Sequence, residues 1–290
     1  DEETYKTLEA SKAWSKAEMI APKQFREEIS PYFNANPKKY ISALVSEDCW
    51  QATPGKVVDL VRNLGIAAGG TVMEDCRVLE ACREGKYTSV LVQTHDKKYV
   101  EYRTEHFVNA LGSGAGKLCD SMGIDAGLYP VRHQAFITRR LPMLGKHGTN
   151  LDMLIDRQDY KGFSAVYGQQ IAYTGQIIGC ASPKLDAMRI DKNLKVNTKA
   201  FLEIVSEMFS EWIPDLAGVG IQAVWAGYYT EPRYIVDPEL GLFVGMRGHG
   251  FMLSQYIARM YVDKLLGRPV PEYFEKLKLN GPGLSEKAFK

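Results

Sequence analysis

The stretch that most constrains the fold lies near the C-terminus, where a short apolar run is followed by closely spaced glycines and a long helical pattern. The run Leu242–Val244 predicts a strand, and the turn after it contains Gly245, Gly248 and Gly250. Apolar side chains then recur at helical spacing until Gly267. Because the first amides of a helix have no partner inside it, such a turn offers N–H donors to an electron-rich group. The same pattern also serves purely structural strand-to-helix turns.

The residues around this turn form a longer motif. Residues 225–237 read Trp-Ala-Gly-Tyr-Tyr-Thr-Glu-Pro-Arg-Tyr-Ile-Val-Asp, and residues 248–251 read Gly-His-Gly-Phe. Together they resemble the C-terminal signature of the D-amino-acid oxidase and sarcosine oxidase family of FAD-dependent oxidoreductases. Further matches at residues 53–54, 107–113 and 130–134 occur in the order in which the family uses them. The resemblance therefore extends over most of the chain.

One element of that family has no counterpart in this sequence. The family begins with a strand, a Gly-x-Gly-x-x-Gly turn and a helix, a unit of about 30 residues that holds the FAD pyrophosphate. No glycine occurs between Asp1 and Pro54. We therefore expect a processed product, a fragment of a longer chain, or a protein whose pyrophosphate-binding unit is supplied by another polypeptide.

The resemblance implies an α/β (α+β) fold. A partial FAD-binding Rossmann-like domain is expected to be interleaved with an antiparallel-sheet substrate domain. The expected divisions are a helical, substrate-side N-terminal part (1–50), the middle of the FAD-binding domain (51–125), the substrate domain (126–229), the C-terminal strand and helix of the FAD-binding domain (230–268) and an extended tail (269–290).

Residue periodicity predicts the elements within these divisions. Apolar residues at helical spacing indicate helices over residues 54–68 and 197–212. A similar pattern over residues 1–39 would turn Leu8, Trp14, Met19 and Ile20 toward a core or a partner. Strands are predicted at 71–79, 87–94, 99–104, 107–111, 134–138, 151–155, 164–167 and 171–178.

Composition and charge exclude several other classes. The 36 Lys and Arg against 35 Asp and Glu give a formal net charge of +1, which leaves no excess to attract nucleic acid. Five cysteines at irregular spacing indicate neither a disulfide framework nor a metal site, so we expect reduced thiols in a cytoplasmic protein. No apolar run approaches the roughly 20 residues that span a bilayer.

The resemblance implies which residues contact FAD. Main-chain groups of Ala110, Gly112 and Ser113 are expected at the flavin side, although these residues are equally consistent with a plain tight turn. Val78 lies on the strand that meets the adenine in the family, and a core position is the alternative. The remaining contacts are expected from the start of the last helix, namely Gly248, His249, Gly250, Phe251 and Met252.

An amino acid substrate needs its carboxylate held, and a guanidinium does this with two parallel hydrogen bonds. Arg247 lies within the matched motif and is the first choice, with Arg132 and Arg233 as further candidates; each is alternatively a surface ion-pair partner. Tyr228 and Tyr229 are expected to line the substrate, unless they are core aromatics. We assign Arg247 and Tyr229 to the catalytic machinery.

Two departures from the family pattern refine this picture. Family members with covalent flavin carry a cysteine at the position of Gly227, so non-covalent FAD is expected here. Sarcosine oxidases have a lysine where this chain has Met252, which counts against an N-methyl amino acid bound in the same manner. His249, between two glycines, is expected to be a structural or flavin-edge residue rather than a general base.

The implied function is oxidation of an amine or amino acid, of the proline, N-methyl or D-amino acid type, by hydride transfer to FAD. Two alternatives remain open. The same flavin chemistry oxidises 2-hydroxy acids or glycerol phosphate, and a chain without the Gly-x-Gly-x-x-Gly unit is also consistent with a non-catalytic subunit or interaction module.

Overall fold

A computed structural model of the chain describes residues 17–29, 32, 38, 40, 42–46, 50–145, 150–156, 163–171, 174–183, 198–214 and 218–283. Its strands are β1 (Ala17–Ile20), β2 (Ala43–Ser46), β3 (Arg77–Glu84), β4 (Tyr87–Gln93), β5 (Tyr99–Thr104), β6 (Tyr129–Thr138), β7 (Leu154–Asp156), β8 (Phe163–Ile171), β9 (Gln176–Pro183), β10 (Ile221–Glu231), β11 (Ile235–Asp237) and β12 (Leu242–Val244). Its longer helices are α1 (Pro54–Ala67), α2 (Ala115–Ser121), α3 (Thr198–Trp212) and α4 (Gly250–Leu265).

The chain divides into two compact units. The first comprises Asp1–Cys49, Val131–Tyr228 and Glu286–Lys290, and the second comprises Trp50–Pro130 and Tyr229–Ser285. Helices and antiparallel sheets are mixed, which confirms the predicted α/β (α+β) class. None of the described helices is long and apolar enough to cross a bilayer.

The first unit is built on a five-stranded sheet with the order β10-β6-β9-β8-β7. Helix α3 has an apolar face that contributes Phe201, Ile204 and Met208 to the core of this unit. These side chains pack with apolar residues of the sheet such as Phe136, whose ring lies 6.1 Å from that of Phe201. A helix with one apolar stripe is stabilised in this way by burial against a sheet.

The second unit contains a three-stranded antiparallel sheet, β3-β4-β5, and the hairpin β11-β12. Helix α2 packs on the three-stranded sheet, where Leu118 joins Ala81 and Val90 in one apolar cluster. Helix α4 contributes Ile257 and Met260 to a second cluster next to the hairpin. Strand β12 of this hairpin is followed by the turn that leads into α4.

Three of the predicted helices are confirmed, over α1, α3 and α4, but α1 lacks the buried face that its pattern predicts. None of its side chains is buried. Val58, Val61 and Leu64 are 62%, 50% and 61% exposed. An apolar helix face of this kind is normally covered by protein.

The helical pattern predicted for residues 1–39 is confirmed in part: Pro22–Gln24 form a short helix that continues into a π-helix at Phe25–Ile29, but residues 17–20 form a strand. Met19 and Ile20 lie in β1, which pairs antiparallel with β2. Ile20 is buried in the core of the first unit, and over so short a run a strand buries one face as well as a helix does. Leu8 and Trp14 lie outside the described residues.

The strand predicted at residues 107–111 is reduced to one bridge, in which Asn109 pairs in parallel with Leu242. The chain then forms a 3-10 turn at Gly112–Gly114 and continues into α2. The Asn109 side chain explains the difference, because its Oδ1 accepts a hydrogen bond from the Leu111 amide and bends the chain.

Several strand boundaries are also wrong, and the strand predicted to start at Leu151 begins only at Leu154. The single strand predicted over residues 171–178 is the end of β8, a turn and the start of β9. Gly175 in that turn has a φ of 68°, which an extended strand does not allow. The strand predicted over residues 71–79 begins only at Arg77.

The C-terminal segment is not the extended tail that its polar composition predicts. Residues Glu272–Leu277 form a 3-10 helix. Its Phe274 and Leu277 are buried beside Tyr234 and Met260. Burial of these two side chains, together with hydrogen bonds from Arg233 to the Gly281 and Leu279 carbonyls, attaches this segment to the second unit.

Candidate functional site

The turn between β12 and α4 lies next to a second loop of the same unit. The backbone N–H of Asn109 donates to the Gly241 carbonyl oxygen (2.8 Å), and the backbone carbonyl of Asn109 accepts from the Phe243 N–H (3.0 Å). Because this bridge is parallel, the chain leaves both segments at the same edge of the sheet. The Asn109 Nδ2 also donates to the Ala115 carbonyl (3.0 Å), which ties the 110–115 loop to this place.

The first amides of α4 are not capped by a side chain. His249 is the N-cap residue, and its side chain makes no capping hydrogen bond. Among the described residues, no acceptor faces the backbone amides of Gly248, Gly250 and Phe251. The Met252 amide donates to the His249 carbonyl (3.1 Å). The helix start therefore presents unpaired donors and the positive end of the helix dipole.

Glycines fit this turn because the backbone approaches its neighbours closely. A Cβ on Gly248 would lie 2.6 Å from Cε2 of Tyr229, and one on Gly250 would lie 3.0 Å from Cβ of Met246. Gly245 has a φ of 73°, and the Arg233 carbonyl oxygen fills the space of its Cβ. The turn is consequently held in one compact conformation.

Arg247 lies in the middle of this turn with a φ of 48°, in the left-handed region that disfavours residues with a side chain. Its guanidinium Nε forms an ion pair with Glu231, and both side chains are only 15% exposed. Strained backbone that persists in a compact turn is common at ligand sites. Arg247 thus provides a positioned positive charge directly before α4.

His249 and Tyr234 form a second polar contact at the turn. The Tyr234 hydroxyl lies 2.5 Å from His249 Nδ1. Burial lowers the pKa of His249 from its ordinary value of 6.5, and the Arg247 charge lowers it further. Burial raises the pKa of Tyr234, an effect that Arg247 opposes and Glu231 reinforces. The neutral form of both side chains is favoured.

The predicted substrate residues fall in different parts of the chain. Tyr229 lies in the second unit, with its ring against Gly248. Tyr228 and Arg132 belong to the first unit, and Arg132 is buried in β6. Since neighbouring residues of a strand point to opposite faces, Tyr228 and Tyr229 of β10 do not face the same side.

The predicted cofactor residues upstream also lie in the second unit. Ala110, Gly112 and Ser113 are exposed in the loop that follows Asn109. Val78 of β3 pairs with Val92 and packs against the apolar cluster of that sheet.

Three further residues contact the candidate site and were not predicted from the sequence. Asn109 fixes the 110–115 loop, Glu231 pairs with Arg247, and Tyr234 contacts His249. Asn109 leaves a usable signal, since it is a polar residue inside an apolar run. Glu231 and Tyr234 are separated from their partners by 15 or more residues, so no local motif contains the pairs.

The candidate Arg233 is unsuited to binding a substrate, because its guanidinium donates to the Gly281 and Leu279 carbonyls.

Comparison with known families agrees with this geometry. The model of the DAO family, FAD-dependent oxidoreductases, matches residues 1–264. The chain therefore belongs to this family, and the resemblance drawn from its motifs is confirmed. No curated protein is similar enough in sequence to be matched.

Solved structures share the fold at low sequence identity. L-proline dehydrogenase from P. horikoshii has a TM-score of 0.74 at 24% identity, over 96% of this chain and 73% of that chain. Glycine oxidase from Bacillus cereus has a TM-score of 0.70 at 17% identity, over 94% and 70% of the two chains. Iminodiacetate oxidase from Chelativorans sp. has a TM-score of 0.70 at 13% identity, over 97% and 71%.

The residues at the turn fit the ring end of an FAD. A flavin needs hydrogen-bond donors and positive charge at the edge where negative charge collects on reduction. The Gly250 and Phe251 amides supply the donors, and the α4 dipole supplies positive potential together with the Arg247 guanidinium, whose charge Glu231 partly offsets. Within the described part of the chain, no group of three or more His, Cys, Asp or Glu side chains could hold a metal ion.

Proposed function

We propose that this protein oxidises an amine or an amino acid, of the proline, N-methyl or D-amino acid type, with FAD as the electron acceptor. The observation that carries the proposal is the uncapped start of α4 beside the buried Arg247. Bound FAD would accept a hydride equivalent from the substrate carbon that bears the nitrogen. The family match supports the cofactor, and the fold neighbours named above support the substrate class.

The residues of the turn would bind and orient the reactants. The amides of Gly250 and Phe251 would donate to the flavin edge, and they need not reorganise because the helix fixes them. Residues 110–113, tied in place by Asn109, would contact the flavin with their main chain. The Tyr229 ring, held against Gly248, would wall one side of the substrate space and exclude water.

Arg247 would hold the substrate carboxylate. Glu231 contacts the Nε edge of the Arg247 guanidinium and thereby fixes the direction in which its two terminal nitrogens point. A carboxylate is recognised in this way whether the neighbouring carbon bears nitrogen or oxygen. For this reason 2-hydroxy acids are the second candidate substrates.

FAD would be held without a covalent bond. Gly227 occupies the position at which the covalent family members have cysteine, and no atom lies within 4 Å of where its Cβ would be. Denaturation in acid should therefore release all of the flavin into the supernatant, and flavin retained in the protein pellet would contradict this point.

A further polypeptide segment would cover α1 and supply the pyrophosphate-binding unit. The apolar side chains of α1 are exposed in a chain whose family and fold are established. A strand, glycine-rich turn and helix would bury this face and add the amides that a pyrophosphate requires.

The test is to purify the protein with any polypeptide that accompanies it and to record its visible absorption spectrum before and after FAD addition. Proline, sarcosine and D-alanine are then compared with 2-hydroxy acids, using a dye as acceptor. We expect flavin absorption that amino acids bleach. Flavin absorption that only 2-hydroxy acids bleach would favour the second candidate.

A protein without flavin bands and without FAD uptake would contradict the proposal and leave the non-catalytic alternative. Arg247→Ala separates the two further. An enzyme should lose substrate turnover with this change, whereas a pure scaffold loses only stability.

A further inference from the structure

The contact between Tyr234 and His249 determines which nitrogen of the imidazole carries the proton. A neutral imidazole has one N–H donor and one acceptor nitrogen, and the two tautomers differ in which is which. The Tyr234 hydroxyl lies 2.5 Å from His249 Nδ1, so this nitrogen either accepts from the phenol or donates to it. The surroundings of Tyr234 discriminate between these two arrangements.

Tyr234 is only 7% exposed, and its body packs in the apolar cluster that includes Val236 and Ile257. Within the described residues, His249 is the one hydrogen-bond partner of its hydroxyl. If Nδ1 donated the proton, the phenolic O–H would be buried without an acceptor, which is unfavourable. The phenol therefore donates, and Nδ1 accepts.

We propose that Tyr234 is a positioning residue that holds His249 as the neutral tautomer protonated at Nε2, so that His249 acts at the start of α4 as a hydrogen-bond donor and not as a proton acceptor. Nδ1 is occupied by the phenol, and Nε2 already carries hydrogen. Neither nitrogen is then available to take a proton from a substrate. The tautomer of His249 does not depend on the proposed function, whereas its role toward the flavin and the substrate rests on that function.

The charges around the pair support the neutral state. The positive charge of Arg247, in the turn before α4, disfavours a positive charge on the nearby His249 ring. Glu231, at the end of β10, is already paired with Arg247. Tyr234 itself would lose its acceptor if His249 became an imidazolium, because both ring nitrogens would then be donors. Arg247 and Tyr234 thus oppose protonation of His249, and the Glu231 carboxylate, which would favour it, is engaged by Arg247.

The test is the long-range proton–nitrogen NMR spectrum of the ¹⁵N-labelled protein, which distinguishes the two tautomers and the imidazolium. The chain has five histidines, and His249→Asn identifies the signals of His249 by their loss. We expect the Nε2–H pattern in the unchanged protein around neutral pH. An Nδ1–H pattern or an imidazolium there would overturn the proposal without any variant.

The Tyr234→Phe variant removes the hydroxyl and keeps the ring. We expect mixed tautomers and a rise of about one unit in the titration midpoint of His249, since one hydrogen bond no longer favours the neutral ring. Tyr256→Phe removes a hydroxyl from α4 itself, which contacts Tyr273, and should change neither quantity. An unchanged tautomer and midpoint in Tyr234→Phe would also overturn the proposal.

These spectra require no flavin, so they separate this inference from the proposed function. A protein with the expected tautomer and no FAD uptake would contradict the function alone. With FAD bound, the pH profile of substrate oxidation should lack a step that follows His249, and such a step, lost in His249→Asn, would contradict its assignment as a donor.

Discussion

Arg247 combines two features that are separable by mutation. Its side chain neutralises the Glu231 carboxylate, and its backbone adopts a φ of 48° that glycine tolerates better than any other residue. A residue whose only role were to turn the chain would be better as glycine. We therefore attribute the presence of an arginine here, in place of glycine, to its positive charge.

We predict that Arg247→Gly is more stable than Arg247→Ala by about 0.5–1 kcal/mol, although both lose the ion pair. Only glycine relieves the left-handed backbone, and this gain exceeds the extra entropy of its unfolded chain. Urea denaturation of the two variants measures the difference. Equal stabilities, or a more stable alanine variant, would show that the turn is not strained at Arg247.

His249 should give the stability of the protein a pH dependence with a definite sign. Its pKa is lowered in the folded state by burial and by Arg247, so the unfolded chain binds the proton more readily. Its contribution is complete above the unfolded pKa of about 6.5 and is lost as the pH falls through the folded pKa.

The free energy of unfolding should therefore decrease more steeply in the unchanged protein than in His249→Asn between about pH 7 and pH 5. Urea denaturation at a series of pH values gives both slopes. Parallel curves would mean that burial does not perturb His249.

At the scale of elements, the β11-β12 hairpin and α4 depend on how closely the chain packs at Gly245. Its left-handed φ of 73° resembles the 68° of Gly267, which follows α4. The two glycines differ in their surroundings: the Arg233 carbonyl fills the Cβ position at Gly245, whereas no atom lies within 4 Å of that position at Gly267.

Gly267→Ala should cost about 1 kcal/mol, which is the penalty of the backbone conformation alone. Gly245→Ala should cost at least about 2 kcal/mol more, because the hairpin must also open around the new methyl group. Thermal or urea unfolding compares the pair. Similar losses for both would indicate that backbone strain, and not the close approach of β11 and β12, requires glycine in this turn.

The elements differ in how well the sequence predicts them, for physical reasons. Helices α3 and α4 are predicted within one or two residues because their apolar spacing extends over several turns. The segment at residues 107–111 looks like a strand, but Asn109 bends it by a local hydrogen bond that composition does not show. In the C-terminal segment the fully buried residues Phe274 and Leu277, with Val270 and Leu279 partly buried, are too few for a periodic pattern.

The candidate site is predictable to a similar extent. The glycines, Arg247 and the start of α4 follow from one contiguous motif. Glu231 and Tyr234 were missed, because a partner 15 or more residues away in sequence becomes visible only when the hairpin brings the segments together.

At the scale of the whole molecule, helix α1 of the second unit has an exposed apolar face. Val61 and Leu64 are half or more exposed although they lie at the spacing of a buried stripe. A surface of this kind matches the proposal that a pyrophosphate-binding segment covers α1.

We predict that Val61→Glu/Leu64→Glu weakens FAD retention in the complete assembly at least about tenfold, because two carboxylates would be buried without partners. Asn63→Glu adds a charge to an exposed polar residue of the same helix and should leave retention unchanged. Flavin content after gel filtration measures the effect. Full retention by the double variant would contradict the role of this face.

The most direct test of the account is the reduction potential of bound FAD in variants of Gly250. This residue begins α4, where proline is tolerated, so Gly250→Pro removes one amide donor and Gly250→Ala controls for the added carbon. Loss of a hydrogen bond to a charged group should lower the potential of the proline variant by roughly 30–60 mV relative to the alanine variant. Equal potentials in the two variants would contradict the claim that the start of α4 stabilises the reduced flavin.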